Sequence, residues 1–186
     1  LIMPDPIAAQ KASEYLDKCM SEGDSAGGIA ECVIKGVPAG IGEPVFDKLD
    51  AVLGMAILSI GAVKGIEFGS GFAVSEMKGS ENNDPFIAEN GKVKKLTNNS
   101  GGILGGISDG SDIIFRAAFK PTPSISKKQH TVNTASENVE IEIKGRHDPI
   151  IVPRAIVVVE AMSAIALTDM LFRSLPSQID KIKANY

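Results

Sequence analysis

The sequence has no tryptophan, and its two tyrosines and seven phenylalanines make aromatics only 5% of 186 residues. That leaves little material for a base-stacking nucleic-acid platform. A basic excess is missing as well: 19 Lys and Arg stand against 23 Asp and Glu, for a formal net charge of -4. Nucleic-acid binders usually show the opposite imbalance, so nucleic acid is not an expected partner, and an anionic ligand must be held by a local basic cluster. Cysteine is scarce. Cys19 and Cys32 have no CxxC or His-paired spacing, which excludes a disulfide framework and suggests no metal site. Both read as small core residues of a reduced, cytoplasmic protein. An uninterrupted membrane-length apolar run is also lacking. The stretch Ala155 to Phe172 contains Glu160 and Asp169, so it reads as a buried helix of a soluble protein, with no membrane partner. No signal-peptide pattern stands at the start. "LIMPDP" has no initiator methionine and runs straight into a helix start, so the expectation is a truncated or proteolytic piece of a longer chain.

What is present is a chain that can bury a core. Hydrophobic residues make up 44%, above the disordered range and enough for one domain or half of a larger one. Asp5, Pro6 and Gly23 bracket a first helix whose Ala8, Ala12, Tyr15, Leu16 and Cys19 share a face. "GGIAECVIKG" predicts a strand. "PVFDKLDAVLGMAILSI" predicts a second helix with Phe46, Leu49, Leu53, Ile57 and Ile60 in one stripe. "AVKGIEF", "GSG" and "FAVSEM" predict strand, turn and strand. Residues 78–97, with "GSENND" and "ENGK", read as a mobile loop. "DIIFRAAF" predicts a strand. In "VEIEIKG", Val139, Ile141 and Ile143 alternate with Glu140 and Glu142, as in a strand wet on one face. "VPRAIVVVEAMSAIALTDMLFRSL" predicts the last helix, and "PSQIDKIKANY" a surface tail. There is no βαβ rhythm and no Rossmann fingerprint, so an α+β layered sandwich fits best.

Three segments could carry chemistry. "NNSGGILGGISDG", Asn98 to Gly110, could cradle an anion on backbone N–H groups or be a plain glycine-rich turn. "RAAFKPTPSISKK" ends a strand at Lys120, and Pro121 and Pro123 then fix an extended path past Thr122 and Ser124. It could be a phosphate clamp or a proline-rich strand exit. "GRHDP" sets Arg146 and Asp148 two apart on extended chain, so both can face one side. Arg146 suits bidentate binding of phosphate or carboxylate, and Asp148 could orient it or exchange protons. A structural Arg–Asp pair is the other reading. His147 should point away, and nothing recommends His130.

Taken in order, "EGDSAGG", "GVPAGIGEPVFDKLDA", "AVKGIEFGSGF", "NNSGGILGGISDG", "FKPTPSI" and "KGRHDPIIVPRA" resemble the C-terminal half of chorismate synthase, from about Pro4 to Arg173. The resemblance implies that 1–186 is one portion of a layered α/β sandwich whose N-terminal half is absent. It implies a lyase of the shikimate pathway that makes chorismate from 5-enolpyruvylshikimate-3-phosphate by anti-1,4-elimination of phosphate. The cofactor would be reduced FMN, with NADPH as a candidate reductant, and the assembly a homotetramer. Flavin contacts would fall on Gly61, Ala62, Gly105, Lys120, Pro121, Thr122, Pro123, Ser124 and Arg146. Asp148 would be the acid/base group and Arg146 would face the substrate's anionic groups. Relatives have a larger polar residue where Gly61 stands and often a cysteine at Ile150. Two catalytic histidines and further substrate arginines would lie in the other half, so this chain alone is expected to be silent. The alternatives are a non-catalytic folded fragment or an unrelated phosphate-binding α+β module.

Overall fold

The computed structural model describes residues 1–145 and 148–177, together with 180 and 183. Most of the tail expected at the surface therefore lies outside the described residues. Helix α1 (Pro6–Ser21) begins as its sequence requires. Asp5 accepts hydrogen bonds from Ile7 N at 2.8 Å and Ala8 N at 3.1 Å, Pro6 occupies the first turn, and Leu16 and Cys19 are its buried residues. Strand β1 (Gly28–Ile34), helix α2 (Leu49–Leu58) and strand β2 (Val63–Phe68) follow. Further on come helix α3 (Gly79–Asn82), β3 (Phe86–Glu89), β4 (Lys92–Lys95), β5 (Ile103–Leu104), β6 (Ile107–Ser108), β7 (Ile113–Phe119), β8 (Gln129–Val132), β9 (Asn138–Ile141) and helix α4 (Val152–Ser174).

The main sheet is antiparallel in the order β1-β7-β2, so the strand latest in sequence is central. Along β7, Ile113, Phe115, Ala117 and Phe119 are buried while Ile114, Arg116 and Ala118 are half-buried. The buried set meets α2 and α4, which cover one face of the sheet. Leu49, Leu53 and Ile57, spaced by four, put one stripe of α2 wholly inside. Burying each such side chain stabilises by about 1.5–3 kcal/mol. Helix α4 is long and apolar enough to cross a membrane by length and composition. It packs against β1 and α2, yet Val157, Ile165 and Phe172 remain more than 60% exposed on its outer side. Sheet and helices in two layers give the expected α+β architecture.

Four elements differ from the sequence reading. Helix α2 starts at Leu49, not near Pro44, and Phe46 is 93% exposed at φ 65° instead of joining the stripe. Asp47 N bonds back to Val45 O and Glu43 N to Asp47 O, so residues 43–47 form their own turn. "FAVSEM" is a 3-10 helix (Gly71–Glu76), not a strand, because Phe72 N turns back to the Glu67 carboxylate at 3.1 Å. Residues 78–97 are filled by α3 and the β3–β4 hairpin, closed by Asn90–Gly91, both at positive φ, as a type I′ turn needs. Among the described residues strand β9 pairs only with β8, and all four of its residues are exposed, so neither of its faces is buried by them.

Most of the glycine-rich run is explained by packing. At Gly101 an added Cβ would lie 2.4 Å from Gly69 N, and at Gly69 it would lie 2.0 Å from Asn99 O, so the two backbones cross with no room for a side chain. Both residues also have positive φ. Gly69→Ala should therefore lower unfolding free energy by about 2–3 kcal/mol through overpacking and strain. Urea denaturation reads this directly, and an unchanged midpoint would show that the crossing is loose. Further along, Gly105–Gly106 forms the β5–β6 turn, both at positive φ. Gly106 O accepts from Leu49 N at 2.8 Å, which seats this turn on the first turn of α2.

Candidate functional site

One edge of the sheet gathers three chain ends. Strand β7 ends at Phe119, opposite Gly28 at the start of β1 and Val63 at the start of β2. Lys120 N donates to Ala62 O at 2.9 Å, so the exit of β7 is tied to the bulged beginning of β2. Ala62 sits at φ 70° and the space beside Gly61 is open. A left-handed non-glycine residue is a local strain that the surroundings must hold.

The α1–β1 connection laces the rest together. Ser25 Oγ donates to Thr122 O at 2.7 Å, Ser126 N donates to Gly23 O at 3.0 Å, and Ala26 N donates to Pro149 O at 2.7 Å. "EGDSAGG" thus holds both the Lys120–Ser126 loop and the chain at Asp148–Pro149. Lys127 reinforces it, 2.7 Å from Asp24 and 3.6 Å from Glu22. The Lys127 ammonium, with the Ser25 N–H, holds the Asp24 carboxyl below the usual carboxylate range, and Asp24 in turn raises Lys127. Between the two held segments lies a shallow cleft of about 230 Å³, lined among others by Asp24, Ser25, Ser126 and Asp148. Nothing in periodicity or motif pointed to Asp24, Ser25 or Lys127 as organisers. For Asp24 and Ser25 the signal was only the presence of "EGDSAGG" among the family-like segments, and for Lys127 only its place at the end of "RAAFKPTPSISKK".

The polar groups at this edge are incompletely satisfied. Lys120 is exposed and its ammonium has no partner among the described residues. Thr122 Oγ1 is buried without a hydrogen-bond partner, an arrangement proteins generally avoid. Asp148, about one-third exposed, pairs with Arg154 at 2.6 Å, although Arg154 is 76% exposed. The sequence also offers Arg146 as a partner for Asp148. Arg146 and His147 lie outside the described residues.

A second polar cluster escaped the sequence reading entirely. Lys95 Nζ donates to Asp109 Oδ2 at 2.6 Å, Ser100 Oγ at 2.9 Å and Asp84 Oδ2 at 3.2 Å, with all three charged side chains at most 7% exposed. Asp84 also accepts from Thr97 Oγ1, Asn99 N, Ser100 N and Ser100 Oγ. Burial opposes its ionisation, but these donors together win and hold the carboxyl well below its ordinary range. The same contest, won by Lys95 and Ser111, lowers Asp109. Lys95 therefore bolts β4 to both ends of the glycine-rich loop.

Comparison with known proteins now decides the family. The chorismate synthase family profile matches residues 1–172. The chain belongs to the chorismate synthase family. The chorismate synthase of Lachnoclostridium phytofermentans is 65% identical over 100% of this chain and 51% of the relative. That of Agathobacter rectalis is 60% identical over 100% and 51%. A crystal structure of a chorismate synthase superposes with a TM-score of 0.76 at 32% identity, covering 93% of this chain and 45% of that one. The chain thus spans about half the length of the curated relatives it matches.

Against the flavin contacts that the chorismate synthase resemblance implies, the structure divides the residues. Gly61, Ala62 and the run Lys120-Pro121-Thr122-Pro123-Ser124 meet at one edge, beside the Asp148 cleft. Gly105 is not brought there. It caps the hairpin on the first turn of α2, ahead of β7, whereas Gly61 lies just beyond that helix's last turn. Seven residues of β7 separate the two ends, about 20 Å at the usual rise per residue. The edge offers the kinds of group an anionic cofactor would use: an unpaired cation at Lys120, a hydroxyl without a partner at Thr122 and open space beside Gly61.

Proposed function

We propose that this chain forms one wall of a chorismate synthase active site. The reading is a lyase that eliminates phosphate from 5-enolpyruvylshikimate-3-phosphate with reduced FMN. The observation that carries it is the Lys120–Ser124 loop, with its unpaired ammonium and orphaned Thr122 hydroxyl, held beside the Asp148 cleft. When bound, reduced flavin supplies electron density to the elimination. Lys120 would hold an anionic group by a charge-assisted hydrogen bond. Thr122, once its hydroxyl finds a partner, and Ser124 would fix the orientation of that group. Asp148 would take or hold the proton released as the phosphate C–O bond breaks, and the ion pair with Arg154 would keep its carboxylate aimed. The reading implies a cytoplasmic protein acting on a small molecule.

The test is a flavin titration on the family-length protein. Lys120→Ala should weaken FMN binding by about 1.5–3 kcal/mol, the scale of a hydrogen bond to a charged group. Unchanged affinity would return this loop to a proline-rich strand exit.

A further inference from the structure

Among the asparagines of the sequence, only Asn90 precedes a glycine. That pair closes the β3–β4 hairpin. Glu89 is in register with Lys92, which leaves Asn90 and Gly91 as a two-residue loop at φ 52° and 72°. Both are exposed, and a Cβ added at Gly91 would meet nothing within 4 Å. The Asn90 side-chain amide and the Gly91 N–H have no hydrogen-bond partner among the described residues. Asparagines elsewhere are held by hydrogen bonds or followed by bulkier residues. Asn98 donates to Asp112 O at 2.8 Å and accepts from Gly102 N at 2.7 Å, and Asn99 donates to Asn82 O at 3.1 Å.

We propose that Asn90 is a deamidation site whose isoaspartate product unlatches Lys95. Gly91 N attacks Cγ of Asn90. The N–Cγ bond forms as the Cγ–Nδ2 bond breaks, Gly91 N gives up its proton, and ammonia leaves. Water then opens the five-membered imide at either carbonyl, giving aspartate or isoaspartate with no oxidant or reductant. The ring closes when Gly91 N eclipses Asn90 Cβ, at positive φ and ψ of about −120°, which is the first central position of a type II′ turn. Types I′ and II′ both suit a two-residue hairpin, so rotating the single Asn90–Gly91 peptide reaches that form without changing strand register. Asn90 already has the required sign of φ, glycine at 91 accepts either conformation, and nothing packed beside Gly91 resists the rotation. Aspartate also suits a type I′ turn and leaves the hairpin intact. Isoaspartate adds a carbon to the main chain inside the loop, so it breaks the turn that sets the register of Phe86 with Lys95. Lys95 is then drawn away from Asp84 and Asp109, and β4 comes loose from the glycine-rich loop. The inference is independent of the flavin assignment.

Peptide mapping of the family-length protein, held warm at neutral pH, tests it. The tryptic peptide 79–92 should exchange the mass of NH2 for OH at Asn90, with isoaspartate present as well as aspartate. The peptide carrying Asn98 and Asn99 should stay unchanged. Asn90→Gly keeps a residue pair that forms type I′ turns and should abolish the exchange. Protein enriched in isoaspartate should unfold at a lower urea midpoint than fresh protein, and the midpoint of Asn90→Gly should not drift. An intact Asn90, aspartate formed without isoaspartate, or equal modification at Asn98 and Asn99 overturns the proposal. So does a urea midpoint that stays constant while isoaspartate accumulates.

Discussion

Lys95→Met should lower unfolding free energy by about 3–5 kcal/mol, the cost of stripping one partner from a buried ion pair. The reason is local. Lys95 is 2% exposed and faces two carboxylates that are 2% and 7% exposed. Methionine fills much of the same volume, so packing is kept and the loss is one of charge. The pH dependence fixes the cause. Both carboxyls are held below their ordinary range in the folded chain. Their contribution is therefore full above about pH 4, the unfolded value, and fades as pH falls below it. In Lys95→Met the freed carboxylates gain protons more readily, so the deficit against wild type should shrink on acidification. Denaturant unfolding at pH 7 and pH 4 measures it. A deficit constant with pH would mean that lost packing, not unpaired charge, is responsible.

That cluster also marks where the sequence ran out. Lys95, Asp84 and Asp109 are spaced 11 and 14 residues apart along the chain, with no period and no motif. Only the β3–β4 hairpin and the crossing at Gly69–Gly101 bring them together. The hairpin itself was legible, since "ENGK" contains the Asn-Gly of a type I′ turn, but surrounding polarity favoured a loop. Periodic apolar residues read well: the stripe Leu49, Leu53, Ile57 and the alternation along "DIIFRAAF" both appear as buried faces. Their boundaries read less well, because Phe46 fits the helical spacing while its backbone turns at φ 65°. The Lys120–Ser124 loop was legible in sequence as a proline-stiffened strand exit, and its flavin role only as what the family resemblance implies. Its companions Asp24 and Ser25 were not, because a hydrogen bond to Thr122 O spans 97 residues and leaves no local trace. Gly105 turns the β5–β6 hairpin at positive φ, as a glycine-rich turn predicts, while its flavin contact came only from the family resemblance.

Asp148→Asn in the family-length protein should lower turnover by about 10²–10⁴-fold while flavin still binds. Asparagine keeps the shape and removes both charge and basicity. The structure supplies the control that separates the two readings of "GRHDP". Asp148 pairs with Arg154, whose side chain is 76% exposed, and exposed ion pairs contribute little to stability, typically about 0–1 kcal/mol. If Asp148 matters only as the anchor of Arg154, Arg154→Gln should cost as much turnover as Asp148→Asn. If Asp148 itself carries the proton, Arg154→Gln should cost no more than about tenfold, the share expected of a group that only aims the carboxylate. The two variants should differ in pH profile as well. Asp148→Asn should change the shape of the turnover curve, whereas Arg154→Gln, which leaves the proton-transferring group in place, should keep the wild-type shape. Measuring both variants anaerobically with reduced FMN, by chorismate absorbance, decides between them. Near-normal turnover of Asp148→Asn would leave the ion pair as a structural clasp at the start of α4.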